Sequence, residues 1–306
     1  MTATSAPSGR GPLGALKRLF FPASPTYLLM IIPAIALFTF FIIYPTINGM
    51  FYSFTDYVGY GAWKFIGLAN YKAAFSDPNI RDSYGFTLLF AVVGTLVVNI
   101  TAMLLALALN SQIKWQRAFR TLFFLPMVIS GLVISYVFTF IISNSVPIVS
   151  AEIHFTPFTS SLLANQHLAW LGVVFVASWQ AIPGAIIIFL AGLVAIPTEV
   201  YEAASIDGAS AWSKFRHMTF PLLFPFFIIN SVLVFKNFLN VYDVVVGLTG
   251  GGPGTATTSV AQTIFNGFFN GDYAYQMANA VLFFIVTVIL SILQLGVIRR
   301  RGGGLI

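Results

Sequence analysis

Between residues 230 and 243 an apolar run is interrupted by Asn230, Lys236, Asn237, Asn240, Tyr242 and Asp243. Amides and hydroxyls both donate and accept hydrogen bonds, which is the chemistry that holds a polyhydroxyl solute. Steps of seven and three residues place Asn230, Asn237 and Asn240 within one broad face of a helix. Trp179-Gln180 would add an aromatic face and another amide, ahead of Pro183-Gly184, which could kink their helix. Ser130-Gly131 and Ser135, after Pro126, offer further small polar groups. Other roles stay open: Asn230 and Asn240 fit bridges between helices equally well. Lys236 fits snorkelling to the surface, a pair with Asp243, or contact with an anionic solute group.

A second cluster is charged. Glu199, Glu202 and Asp207 fall within nine residues, and Lys214, Arg216 and His217 follow. None of this reads as catalysis. With no cysteine, thiol chemistry, disulfides and Cys-held metals are excluded. His154, His167 and His217 lack ligand spacing, so no metal site is expected, and no carboxylate pair lies in a plausible catalytic pocket. The Gly-rich run Gly250–Gly254 lacks the Lys-Ser/Thr of a phosphate-cradling loop. The chain is therefore expected to be no enzyme, with no cofactor of its own.

Of the 306 residues 58% are hydrophobic and 8% charged, against roughly 45–50% and 25% in soluble domains. This is the composition of an all-α integral membrane protein. Six stretches reach the ~20 apolar residues a spanning helix needs: Tyr27–Ile47, Gly85–Leu109, Phe119–Ile142, Ala169–Ile196, Phe220–Val241 and Gln276–Ile298. Residues 1–26 read as a flexible tail, 27–298 as the membrane domain and 299–306 as a basic tail. Arg10, Lys17 and Arg18, then Lys114, Arg117 and Arg120, then Lys214 and Arg216, then Arg299, Arg300 and Arg301 all fall on one side of that arrangement. The positive-inside rule makes that side, and both termini, cytoplasmic. The net charge of +6 is then a topology signal, and nucleic acid is not an expected partner. The outer loops, near Asn48–Tyr84 and Val244–Tyr275, are long. The first carries Tyr57, Tyr60, Trp63 and Tyr71, and the second is rich in Gly, Thr and Ser.

The charged cluster thus sits in a cytoplasmic loop, about 197–219. Thr198 is expected to cap a helix with Glu199 in its first turn, and Gly208 to end it in left-handed geometry. Ser210 would cap a short second helix, Ala211–His217, and Pro221 would open the fifth span. Ala203 and Ala204 would leave one face small enough for close approach. The physics fits either a tie between two spans or a docking element for a cytoplasmic partner.

The stretch EVYEAASIDGASAWSKFRHMTFPLLFP, with Glu202, Ala203, Ala204, Asp207, Gly208 and Pro221 at the expected offsets, resembles the signature of ABC-importer permeases. Tyr44-Pro45, Phe65 to Tyr71, and Tyr242-Asp243 ahead of Leu248 to Pro253 resemble its carbohydrate-uptake branch, similar to maltose and glycerol-3-phosphate permeases. The resemblance implies a type I importer transmembrane domain in a bacterial or archaeal cytoplasmic membrane. It implies a second permease, two ATPase subunits that use ATP and Mg, and an extracytoplasmic sugar-binding protein as partners. It makes the elbow a coupling helix seated in an ATPase cleft, with Glu202 in polar contact. It supports the fifth span as pore-lining, with Asn237, Asn240, Lys236, Tyr242, Trp179, Gln180 and Ser130 as candidates for the path of a di- or oligosaccharide. A phosphorylated polyol such as glycerol-3-phosphate is the alternative cargo. An ion-coupled carrier is a second alternative, weakened because no carboxylate falls in mid-span.

Overall fold

The computed structural model describes residues 25–111, 114–154 and 158–302. The expected N-terminal tail lies, but for residues 25 and 26, outside them, as do residues 303–306. Among the described residues the chain is helical, and its one extended feature is an isolated bridge between Thr55 and Phe65. Six helices are long and apolar enough to cross a membrane.

Helix α1 runs through Pro25–Phe38, a π-helical turn at Thr39–Ile43 and Tyr44–Tyr52, and forms a unit of its own. The second unit starts at Ser53. It opens with a short helix, α2 (Ala69–Ser76), and a long one, α3 (Pro78–Asn110). Asp77 caps α3 by accepting from the Asn79 amide at 2.9 Å, with Pro78 in the first turn, where its missing N–H is no loss. This start is a turn or two earlier than the apolar run alone implies, because a helix end follows its cap.

The expected third span, Phe119–Ile142, is two helices. Helix α4 (Gln116–Val128) stops at Ile129, whose backbone is extended. Helix α5 starts at Gly131 and continues through Gly131–Phe140, Ile141–Ser145 and Val146–Glu152. The 13 residues of α4 reach only about 20 Å, and Arg117 and Arg120 lie on it, so the membrane-crossing element is Gly131–Glu152. The break falls at Ile129 and the Ser130-Gly131 pair, while Pro126 lies inside α4, which runs on past it to Val128.

Helix α6 (Ala169–Val194) matches its expected span, and α7 (Thr198–Ile206) follows. The expected short helix Ala211–His217 does not stand apart. It runs on as α8 through Ala211–Lys214, Phe215–Thr219 and Phe220–Leu239. Pro221 therefore lies inside the span and does not open it. A π-helical turn at Phe215–Thr219 carries the helix past it. The second of the long loops, Val244–Tyr275, is also more ordered than its composition suggests, holding α9 (Asp243–Thr249) and α10 (Val260–Phe269). Helix α11 (Tyr273–Gly302) includes Arg299, Arg300 and Arg301, expected as a tail.

Within the second unit α3 packs along α6, and α8 lies against both. Lipid tails are as apolar as leucine, so close packing rather than water exclusion holds such helices together, and small residues permit it. Ala91, Ala102 and Ala106 of α3 and Ala177 and Ala185 of α6 are buried. A methyl on Gly94 would collide with the Phe238 ring of α8, and one on Gly192 with Phe226 and Leu223. Phe90, Phe189, Ile186, Leu223 and Leu239 fill the remaining space.

Candidate functional site

Two helix interruptions face one another close to the middle of α6. At the first, the carbonyl of Ile129, left behind where α4 ends, accepts a hydrogen bond from Gln180 Nε2 at 3.0 Å. At the second, α8 ends at Leu239, and Asn240 Nδ2 turns back to the Lys236 carbonyl at 2.9 Å. Helix α9 then packs along the start of α5. Gly247 lies so close that an added methyl would reach the Ser135 Cβ at 2.5 Å. Thr139 Oγ1 donates within its own helix to Ser135 and lies 3.1 and 3.2 Å from the Gly247 and Leu248 carbonyls. Non-helical backbone within a membrane protein is tolerated where it lines a cavity, and Gly131 and Asn240 line one here.

The cavity between these ends has a volume of about 310 Å³. Gln180, Asn237, Asn240 and Tyr242 line it, with Asp243, Gly131 and apolar neighbours from α6, α8 and α9. Of the candidates named from sequence, these four are brought together. Three are not. Ser130 is exposed at the break, and its neighbour Gly131 does the lining. Trp179 points into the core and meets the Phe138 ring edge-on at 5.2 Å. Lys236 is exposed and is not among the residues that line the cavity. Asn230 takes the bridging role: it is 1% exposed and its Nδ2 donates to the Ala185 carbonyl at 3.0 Å. Gly131 and Asp243, which the sequence pattern marked as polar or small positions but not as part of the solute path, also line it.

The lining is anchored from outside. Phe265 of α10 packs on the Tyr242 ring at 4.9 Å. Partial burial, then the adjoining Asp243 charge, push the Tyr242 hydroxyl above its ordinary value, so it stays protonated and can donate. The Gly-rich loop below is knitted to itself: Thr257 Oγ1 donates to the Gly252 carbonyl at 2.7 Å and Gln262 Nε2 to that of Gly250 at 2.8 Å.

The elbow is a separate surface. Helix α7 starts at Thr198 itself, and its N-cap is Pro197, so the expected Thr198 cap does not form. Gly208 ends it at φ +73°, and the Ala209 amide closes back on the Ala204 carbonyl at 2.9 Å, the hydrogen bond of a Schellman stop. Ser210 caps α8 as expected, accepting from the Ser213 amide at 3.2 Å. Lys214 Nζ donates to Ser205 Oγ at 2.6 Å, and the Tyr201 and Thr219 hydroxyls lie 3.0 Å apart. Glu202, Ala203, Asp207 and Gly208 are exposed. Ala204 is 1% exposed, so its small size serves packing within the chain, and Ala203 alone offers a partner close approach. Ile206 is 86% and Trp212 66% exposed.

Residues 98–302 match the family model of the binding-protein-dependent transport system inner membrane component. The multiple sugar-binding transport system permease protein MsmF of Streptococcus mutans is 35% identical, covering 89% of this chain and 94% of its own. The probable starch degradation products transport system permease protein AmyD of Thermoanaerobacterium thermosulfurigenes is 31% identical over 94% and 98%. The fold is similar to that of a bacterial ABC transporter involved in the import of the acidic polysaccharide alginate, with a TM-score of 0.80 and 21% identity over 92% of this chain and 99% of that one.

Proposed function

The chain belongs to the family of binding-protein-dependent transport system inner membrane components, and from that membership we propose that it is the sugar-conducting permease subunit of an ATP-driven importer. The observation that carries the cargo is the cavity of amides and a tyrosine hydroxyl where two helices break. A sugar there would exchange its water for Gln180, Asn237, Asn240 and Tyr242. Neutral hydrogen bonds of this kind bind modestly and release readily, as a pathway needs.

The remaining parts follow as one scheme. Both termini and the elbow are cytoplasmic. A second, related permease completes the pore, and an extracytoplasmic binding protein delivers the sugar. Of two ATPase subunits, which supply the ATP and Mg chemistry, one docks on this elbow and the other on the second permease. Glu202, Ala203, Asp207 and Gly208 meet the ATPase, while Ala204 shapes the elbow from within. When the ATPase pair closes, the elbow moves with it. Because the elbow and α8 form a capped, hydrogen-bonded continuation, that motion reaches the end of α8, where Asn237 and Asn240 stand.

The test has two parts. The tagged chain, taken from native membranes in mild detergent, should bring down an ATPase and a second permease. Cells lacking the gene should lose uptake of labelled maltose-type oligosaccharides and regain it with the wild-type chain. A chain that comes down alone and restores no sugar uptake would remove this reading.

A further inference from the structure

We propose that the membrane face opposite the elbow holds a phospholipid site, built for a headgroup that joins a phosphate to an amine, with an acyl chain laid along α3. A second cavity, of about 480 Å³, is lined by Arg81, Asp82, Phe86 and Leu89 of α3, Trp170 of α6 and Thr255 of the Gly-rich loop. Small-ligand sites occupy roughly 300–1,000 Å³. Trp170 is the second residue of α6, and the far end of α6 leads into the elbow, so the cavity belongs to the other membrane face. Arg81 and Asp82 are exposed, and among the described residues neither side chain has a hydrogen bond or ion pair. Successive residues on a helix do not face each other. A guanidinium and a carboxylate are thus left for two separate groups of one ligand. Trp170 adds an indole N–H and Thr255 a hydroxyl, both donors that a phosphate can use, and tryptophan is enriched at membrane interfaces.

Further along α3 the wall turns apolar at Phe86 and Leu89. Leu89, Val92, Leu96 and Ile100 are between 47% and 53% exposed, and steps of three and four residues keep them on one helix face. Arg81 to Leu89 is about 12 Å of helix, more than the roughly 5–8 Å of a headgroup layer. A headgroup held at Arg81 therefore puts Leu89 in hydrocarbon. Leu89 to Ile100 covers about 17 Å, close to one leaflet's half of a ~30 Å core. Charged and apolar parts come in the order and spacing of one phospholipid. A sugar needs polar partners around its ring, and Phe86 and Leu89 offer none. A helix of another protein would cover the stripe and leave both charges unanswered. The inference goes beyond the sugar-permease reading and needs only that the chain spans a membrane.

The test counts lipid adducts on the tagged chain by native mass spectrometry, in the detergent-solubilised complex that comes down with it. After delipidation, phosphatidylethanolamine or phosphatidylglycerol is added back, and the amine lipid should bind better. Arg81→Gln should weaken both by about fivefold, the effect of one basic residue at a membrane surface. Asp82→Asn removes the partner of the amine, and should cut the preference for phosphatidylethanolamine at least about threefold. Leu89→Ser should weaken both lipids. Lys72→Gln, on α2 and outside the lining, should change nothing. All four side chains are exposed, so melting temperatures should hold. Glycerophosphoethanolamine, the same headgroup without acyl chains, should displace neither lipid, and nor should maltotriose. Adducts indifferent to Arg81 and Asp82 would overturn the site. Displacement by glycerophosphoethanolamine would give the cavity to a soluble phosphate ester, and displacement by maltotriose to a sugar. Loss of the second permease from the Leu89→Ser pull-down, with lipid binding unchanged, would give the stripe to protein. Sugar uptake is not a readout here, so failure of the sugar reading leaves this test intact.

Discussion

Asn230 and Asn237 sit seven residues apart on α8 and do opposite work. The Asn230 amide is buried and tied to the backbone of α6. Asn230→Ala should lower stability in detergent, by about 0.6–2 kcal/mol on the scale of interhelical hydrogen bonds. The order of preference among sugars should stay as it was. Asn237 is exposed to the cavity, so Asn237→Ala should leave the melting temperature unchanged. Uptake efficiency should fall about two- to tenfold for each hydrogen bond lost. Thermal melts and initial uptake rates on the two variants separate the roles, and a reversed pattern would exchange them. Trp179 is a third lesson at this scale. An aromatic beside an amide suggested a sugar face, and the structure gives the ring to Phe138 instead.

At the scale of elements the elbow is the sharpest case. A methyl on Gly208 would meet nothing within 4 Å, yet φ is +73°. Substitution is therefore strained by backbone conformation alone, about 1–2 kcal/mol for a side chain with a β-carbon. Gly208→Asn should retain most sugar uptake, since asparagine tolerates that region. Gly208→Val, β-branched, should lose uptake and ATPase recovery in the pull-down while the chain still inserts normally. Equal behaviour of Asn and Val would show that the left-handed turn is not what the proposed docking surface needs. Tyr201 bears on the same element. Tyr201→Phe removes its 3.0 Å contact with Thr219, and should raise ATP turnover without matching transport by loosening the elbow from α8.

For the whole molecule, the topology is the property on which the other readings depend. In the cysteine-free chain, Tyr60→Cys should react with a membrane-impermeant maleimide in intact cells. Ala203→Cys should react only in inside-out vesicles. The opposite pattern would invert the molecule and place the elbow where no ATPase could reach it. The close packing of α3, α6 and α8 bears on transport as well. With Gly94 and Gly192 in contact with aromatic rings, these helices are expected to move as one body, leaving the interruptions at Ile129 and Asn240 as the places where the pathway can change shape.

The sequence by itself determined the membrane class, the six crossings, the position of the elbow with its glycine stop, and the amides of the fifth span. These are local or compositional properties: a run of apolar residues, a charge count and a helix-ending glycine need no partner to be read. Tertiary structure alone decided the rest. The third span begins at Gly131, and Gln180, 51 residues on from Ile129, satisfies the carbonyl freed there. Asn230 bridges and Asn237 does not, because α6 faces one and the cavity faces the other. Asp243 enters the site because α8 ends two residues after Asn237 and the chain turns toward Gly131. Each outcome depends on which helix faces which, and a one-dimensional pattern carries no record of that.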